Sequence, residues 1–372
     1  MKNMFMISDL KASNRRRAYD LLAKTGSISR VELSHQLGIS GATVIKIIEY
    51  FLENGICFGE EVGTKHTSVG RKPVLMKFNP DYAYAISVFV EGKYISVAVV
   101  NMAGEIKAIR EFRVLDVWNY LFQNLFEVIT ELTKEVPDCK PVVIGLALPA
   151  VINRNTGNVE EAPLLGEMDG ESLAEFKERL EKKFNVPAYI HNDVNVSAYG
   201  EFINQYVTET DNMVYVSVGT GVGCGVILDG RLMLGENNSA GEIGYMIFND
   251  DGTYDRKNGG WMEKKINIKA IDTMLEENTD AADKRQEVIE YVAGILSLGI
   301  TNIVTLLDIN TVVLGGVVME DLGNSLLDAI KEKCQRLCSH ELKIELCKSY
   351  KPGIIGLSHI AADSIVDQLM AE

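Results

Sequence analysis

A chain of 372 residues that is 47% hydrophobic and 24% charged is too apolar to be disordered and long enough for two or three folded domains. No window reaches the roughly 18 uninterrupted apolar residues of a membrane span, and six cysteines with no Cys-x-x-Cys pair fit a reduced, cytoplasmic setting better than a disulfide framework. The net charge of −15 conceals an asymmetry: residues 1–80 hold 12 Lys+Arg against 7 Asp+Glu, and the remainder 25 against 45, so only the basic head is expected to meet nucleic acid.

The apolar stretch at the N-terminus is too short for a signal peptide and runs into Arg15-Arg16-Arg17. Three helices are expected next. Ser13 or Asn14 can cap the first, which carries Ala18, Leu21 and Leu22. Ser29-Arg-Val-Glu32 forms a capping box for the second, with Val31, Leu33 and Leu37 as its apolar positions and Gly38 as its stop. Ser40 caps the third, whose Val44, Ile47, Ile48, Phe51 and Leu52 make one apolar stripe while Gly41, Thr43 and Lys46 fall elsewhere. The short Gly38-Ile39 turn is a helix-turn-helix signature. Two strands, Ile56–Val62 and Pro73–Phe78, would flank a wing whose tip, Gly70-Arg71-Lys72-Pro73, is extended and cationic; the same stretch also reads as a solvated linker. The expected DNA contacts are Ser40, Gly41, Thr43 and Lys46 for readout and Arg71 and Lys72 at the wing, with Arg15, Arg16 and Arg17 neutralising phosphate. The first domain is therefore drawn at 1–80 and the body at 81–372.

The body opens as a meander, Tyr84–Val90, Tyr94–Asn101 and Glu105–Val114, followed by a helix near Val117–Val136 and the strand Val142–Leu148. Helix Leu173–Phe184 leads to strand Ala188–Ile190 and then to His191-Asn192-Asp193, ahead of a helix over Val194–Gln205 that Asn192 or Asp193 could cap. Val214–Val218 and Val226–Leu228 flank a glycine turn with Gly219, Thr220, Gly221, Gly223 and Gly225, and Asp229-Gly230 suits a type I′ hairpin. Those glycines let backbone N–H groups approach an anion, with the Thr220 hydroxyl as a further donor; equally, they could only relieve crowding in a bulged hairpin. Neither the Gly-x-Gly-x-x-Gly nor the Gly-Lys-Ser/Thr nucleotide fingerprint is present. A helix near Gln286–Leu307, which contains the apolar, buried-type run Tyr291–Leu307, then strand Thr311–Leu314, helix Asp321–Cys338, strand Leu342–Leu346 and a helix after Gly353 complete a second half that repeats the first. Cys334 and Cys338, one helical turn apart, are read as ordinary helix residues. Two similar α/β lobes imply a cleft between them, where small ligands bind.

Four motifs in order, Asn192-Asp193-Val-Asn195-Val-Ser-Ala-Tyr-Gly-Glu201, Val218-Gly-Thr-Gly-Val-Gly223, Gly241-Glu242-Ile-Gly244 and Val313-Leu-Gly-Gly316, resemble the ROK family, which joins bacterial sugar kinases to sugar-responsive repressors. The winged helix ending in a Gly-Arg-x-Pro-like segment is similar to its repressor branch, the xylose and N-acetylglucosamine repressors. The resemblance implies an α/β body of the two-lobed actin-like, hexokinase-like ATPase fold behind the winged helix-turn-helix. It assigns Asn192, Asp193, Glu242 and Glu263 to sugar hydroxyls, which carboxylates and an amide suit as acceptors; taken alone, Glu242 and Glu263 read as surface charge.

Departures from the family pattern point away from catalysis. Where kinases of the family carry Asp-x-Gly-Gly-Thr, this chain has Phe89-Val90-Glu91-Gly92-Lys93, losing the metal-organising carboxylate and adding a negative charge. The family's zinc ligands, one His and three Cys, correspond to Tyr245, Tyr254, Arg256 and Trp261, so neither zinc nor any other cofactor is expected. Leu164 stands where many members place an Asn against the sugar, and Tyr245 replaces a His. The reading is a non-enzymatic repressor that binds operator DNA and a sugar, as a homodimer or homotetramer. The alternatives are an active sugar kinase with a DNA-binding head, and a sugar-independent regulator controlled by a protein partner.

Overall fold

The computed structural model describes residues 7–61, 74–153, 159–162, 165, 172–249, 259–276 and 281–371. The wing tip with Arg71 and Lys72, as well as Leu164, Tyr254 and Arg256, lies outside the described residues.

The head is α1 (Ile7–Thr25), β1 (Ser27–Ser29), α2 (Arg30–Leu37), α3 (Gly41–Glu53), β2 (Cys57–Glu61) and β3 (Val74–Phe78), with its strands in the antiparallel order β1-β3-β2. Ser29 and Glu32 form the expected reciprocal capping box, Gly38 ends α2 in the left-handed region at φ 65°, and the Ser40 hydroxyl accepts from Thr43 N–H at the start of α3. The first helix begins by Ile7, so Ser13 and Asn14 lie inside it rather than capping it; nothing between Asp9 and Lys24 is Gly or Pro, and two small polar residues cost a helix little. Val44, Ile47, Ile48 and Phe51 are buried as the stripe requires, whereas Leu52 and Val31 face solvent.

The head does not close its own core. Ala362, Val366 and Met370 of the far α11 (Pro352–Ala371) pack among Ala18, Leu22, Leu33, Val44 and Phe51. Tyr19, Phe78 and Tyr82 meet edge to face beneath them, at the turn Pro80–Tyr82 that leads into the body.

The body contains one topology twice. In the first lobe β4 (Tyr84–Glu91), β5 (Tyr94–Asn101) and β6 (Ile106–Arg113) form the meander, and β7 (Pro141–Leu148) and β10 (Ala188–Asn192) add parallel strands in the order β10-β7-β4-β5-β6. The small pair β8 (Val151–Ile152) and β9 (Val159–Glu161) lies between them in sequence. In the second lobe β11 (Met213–Val218), β12 (Val222–Leu228) and β13 (Arg231–Leu232) are the meander, and β14 (Thr311–Gly315) and β15 (Lys343–Leu346) add the parallel strands, in the equivalent order β15-β14-β11-β12-β13. At the Asp229-Gly230 turn both residues have positive φ, 50° and 71°, as a type I′ hairpin demands. Helices α4 (Val117–Glu135) and α5 (Leu173–Phe184) bury apolar faces in the core of the first lobe. The short α7 (Glu263–Ile266) and α8 (Ile268–Glu276), with α9 (Ala281–Leu307) and α10 (Val317–Leu337), serve the second. This helix α10 begins four residues before the expected Asp321 and is interrupted at Gly323, whose φ of 56° is not helical. Among the described residues one helix, over Asp283–Leu307, is long and apolar enough to cross a membrane by composition, and most of it is buried in the lobe core.

The lobes exchange helices. The helix α6 (Asp193–Glu201), which continues into one π turn over Phe202–Tyr206, follows the first sheet yet packs on β12, while α11 follows the second sheet yet packs on β4 and β7. These two helices cross at glycines: a Cβ at Gly200 would overlap Pro352 O, and one at Gly356 would overlap Val196 O. Only backbone-to-backbone contact brings the lobes this close. The duplicated sheet with exchanged helices at the junction is the two-lobed actin-like architecture.

Candidate ligand cleft and nucleic-acid interface

All four residues expected at a sugar line one pocket between the lobes, with a cavity volume of about 90 Å³. Each is delivered by the fold. Asn192 and Asp193 sit where β10 ends and α6 begins; Asn192 Oδ1 accepts from Asn195 N–H and Nδ2 donates to Ala150 O, so this amide is committed to capping and bracing as well as facing the pocket. The Gly241–Gly244 segment docks edge-on against β12, with Cys224 N–H donating to Gly241 O at 2.9 Å. A Cβ at Gly244 would lie 2.7 Å from Val222 O, so these glycines set how deeply Glu242 reaches in. Met262 N–H donates to Gly244 O, which places Glu263 beside Glu242; in turn Trp261 stacks edge to face on Phe248 at 5.5 Å. Packing of this kind holds the described part of the loop in which the family carries its zinc ligands. Among the described residues no group of His, Cys, Asp and Glu could hold a metal.

The electrostatics of the pocket follow from crowding carboxylates between two lobes. Burial raises the Asp193 carboxyl to about 7, opposed by backbone N–H donors and reinforced by Glu91 and Glu242. The Glu91 carboxyl, which opens to the cleft, is also raised by desolvation and by Glu320 across it, and that of Glu263 by desolvation. His191, enclosed behind them, is pushed down to about 4 and is neutral near pH 7. Such a site accepts hydrogen bonds and, with Asp193 half protonated, also donates one, which is the complement of a polyol.

The glycine turn divides into two roles. A Cβ at Gly219 would meet only Val317 and Glu91 at 3.6 and 3.9 Å, so its backbone faces open cleft. By contrast a Cβ at Gly223 would fall 2.8 Å from Val194, and one at Gly225 would overlap Ala198. Gly223 lines the pocket, yet its lack of a side chain answers the approach of α6, the crowding explanation. Across the cleft Gly92, at φ 57°, would place a Cβ 2.7 Å from the Thr220 methyl, so the two hairpin turns meet at the cleft mouth.

A second cavity of about 550 Å³ adjoins the first, sharing Glu91 and Asp193, and is lined by Phe89, Glu111, Gly316, Glu320, Lys351 and Gly353 among others. Phe89 does not project freely into it: a Cβ at Gly353 would lie inside the Phe89 ring, which packs with Ile354 and Leu357 of α11. The Lys351 ammonium donates to Glu111 Oε1. Sequence reasoning missed Pro149, Ala150 and Val151 as pocket walls, although the carboxyl end of a parallel strand is where ligands of open α/β sheets sit. It also missed Glu201, fully buried, which accepts from Lys348 and Ser349 N–H at 2.9 Å and ties α6 to the loop beyond β15.

In the head, Ser40, Gly41 and Lys46 are exposed at the start of α3, and the Ser40 and Thr43 hydroxyls pair at 2.9 Å. The arginine triplet is a correction. Arg15 is buried at 7% exposure, with its guanidinium 3.5 Å above the Tyr50 ring and a bond to Met370 O. Arg16 bonds Asp20, Asp363 and Asp367, each at 2.8 Å, and Arg17 donates to Leu37 O. Arg15 and Arg16 hold the head together and to α11 rather than waiting for phosphate, while Arg17 stays exposed.

The comparisons with known proteins agree with this construction. The model of the ROK family matches residues 85–360. The xylose repressor of Bacillus subtilis (strain 168) is 26% identical over 392 aligned residues, covering 97% of each chain. Among solved structures, a ROK family transcriptional regulator that is a homologue of the E. coli MLC protein superposes with a TM-score of 0.80 at 20% identity, covering 97% of this chain and 98% of its own. A ROK hexokinase from Thermus thermophilus reaches 0.63 at 19% identity, over 76% of this chain and 99% of its own. Repressors and kinases are thus both among the proteins this chain is similar to.

Proposed function

The chain belongs to the ROK family, and from that premise we propose that it is a cytoplasmic, sugar-responsive transcriptional repressor: residues 1–80 bind operator DNA, and residues 81–372 sense the sugar without phosphorylating it. The observation that carries this reading is α11. Its first turn, Pro352–Ile354, lines the cleft, its middle crosses α6 at the lobe junction, and its last turns supply Ala362, Val366 and Met370 to the core of the head. A sugar gripped by Asp193 and Glu242 draws the lobes together, and a rigid helix anchored at both ends carries that motion into α1 through Arg16. Paired half-sites make head spacing the quantity that DNA reads, so the working form is a homodimer or homotetramer.

Phosphoryl transfer is disfavoured by two features. Phe89 is packed against Gly353 where a kinase of this family needs a carboxylate for its metal, and Glu91, Glu111 and Glu320 surround the larger cavity with charge of the same sign as a polyphosphate. The site is better suited to binding than to chemistry, with Asp193 acting as a hydroxyl partner.

The test is operator affinity with and without sugars found by a thermal-shift screen, in wild type, Asp193→Asn and Glu242→Gln. A coupling of roughly 1–3 kcal/mol would weaken operator binding about 5–150-fold on sugar addition. Both variants should bind operator and lose most of that response. A full response in both variants, or sugar-dependent ADP production by the wild type, would refute the reading.

A further inference from the structure

A sugar held by Asn192, Asp193, Glu242 and Glu263 accounts for the smaller pocket and gives the larger cavity no role. The smaller, at about 90 Å³, falls below the roughly 300–1,000 Å³ usual for ligand sites, while the larger, at about 550 Å³, falls within that range. The two adjoin, because Glu91, Asp193, Val194 and Ser217 line both. A ligand group bonded to Asp193 therefore stands at the passage between them. The walls of the larger cavity differ from those of the smaller. Tyr94 and Tyr350 line it while 57% and 67% exposed, so two rings stand at its mouth against water. Glu111 and Glu320 add carboxylates to Glu91 and Asp193, and Lys351, the one cation among the described lining residues, already donates to Glu111 Oε1. On the same wall Ser349 has an enclosed Oγ without a hydrogen-bond partner, whereas buried polar groups are normally paired.

We propose that the larger cavity is a second sugar subsite and that the effector is a disaccharide or longer saccharide, one unit held in the smaller pocket and the next lying against Tyr94 and Tyr350. The inference rests on the sugar-sensing reading above and names its ligand class. Carboxylates accept from hydroxyls, and an aromatic ring takes the apolar C–H face of a pyranose, so this mixture of walls suits a neutral saccharide. A nucleotide is a poorer occupant, since its phosphates would meet Glu91, Glu111 and Glu320 with no uncommitted cation among the described lining residues. The position of α11 supports a ligand longer than one unit. None of the described residues lining the smaller pocket belongs to α11, whereas Pro352, Gly353 and Ile354 line the larger cavity. A single sugar unit thus stops short of the helix that enters the head, and a second unit touches it. The second unit also lies between Glu111 of the first lobe and Glu320 of the second, so it bears on lobe closure.

Isothermal titration calorimetry of the full chain, without DNA, tests this with glucose against maltose and cellobiose, xylose against xylobiose, and N-acetylglucosamine against chitobiose. At least one disaccharide should bind 10-fold or more tighter than its monosaccharide. Tyr350→Ala and Tyr94→Ala, at exposed positions, should keep the wild-type circular dichroism and each weaken that disaccharide about 10-fold, the size of one aromatic contact, while changing the monosaccharide less than 2-fold. Disaccharides binding no tighter than their monosaccharides, or folded tyrosine variants that weaken both alike or neither, would overturn the second subsite and leave the repressor reading standing. ATP binding that competes with the disaccharide would overturn it too, by making the cavity a nucleotide site. The repressor reading fails separately: a disaccharide bound in a tyrosine-dependent way that leaves operator affinity unchanged would support the subsite and refute sugar control of DNA binding.

Discussion

Asp193→Asn removes a carboxyl that the fold holds protonated at a cost that depends on pH. With its pKa at about 7 in the folded chain against about 3.9 unfolded, Asp193 retains its proton in the native state over a range in which the unfolded chain has released it. Native protein then binds more protons than unfolded protein, so the stability this carboxyl confers is complete below the unfolded value and is lost as pH rises towards 7. Three pKa units at about 1.4 kcal/mol each set an upper bound of about 4 kcal/mol. Water in the open cleft screens part of it, leaving on the order of 1–3 kcal/mol. An amide of the same shape carries no such penalty. In urea titrations of the ligand-free protein, Asp193→Asn should therefore gain on wild type steadily between about pH 4 and 7 and hold a constant advantage above that. Parallel stability profiles for the two proteins across this range would show that the carboxyl is already solvated and ionised, and would remove the basis for its hydrogen-bond donation to a sugar.

Three further outcomes follow from the junction and the head. Gly356→Ala drives a Cβ into Val196 O, with no side chain to yield, and should cost about 3 kcal/mol or more, read as lower soluble yield and melting temperature. Arg16→Ala removes two partly exposed ion pairs to α11 and should cost only about 1–2 kcal/mol by thermal melting, but should reduce the effect of sugar on operator affinity; an undiminished sugar effect would show that the signal travels elsewhere. Lys46→Ala, at an exposed position, should weaken operator binding and lower its salt dependence by about one counterion with no change in melting temperature, checked by anisotropy at several salt concentrations.

Features set by neighbours in sequence are legible in the chain itself. The Ser29–Glu32 box, the Gly38 stop, the Asp229-Gly230 turn and the meander of β4 to β6 each depend on a few adjacent residues, and each forms as expected. The gathering of Asn192, Asp193, Glu242 and Glu263 is legible only through the family pattern, because β12 and α6 bring together residues up to about 70 positions apart. The arginine triplet misleads, and for a definable reason. A run of three cations reads as a phosphate contact, but besides the nearby Asp20 the carboxylates that claim Arg16 are Asp363 and Asp367, about 350 residues away. The same distance hides the contribution of α11 to the head. Glycine roles are also ambiguous locally: Gly200, Gly225 and Gly356 serve backbone contact between helices and strands, which no spacing within one segment reveals.

The placement of Ala362, Val366 and Met370 inside the head has a consequence for biosynthesis. The ribosome finishes residue 78 about 280 residues before it reaches Ala362. At about 5–20 residues per second, the nascent head waits roughly 15–60 s for the helix that completes it. A chain released early would therefore carry the recognition helix without a finished core. Truncated products should be cleared as unfolded polypeptide instead of persisting as DNA binders that no sugar can switch off.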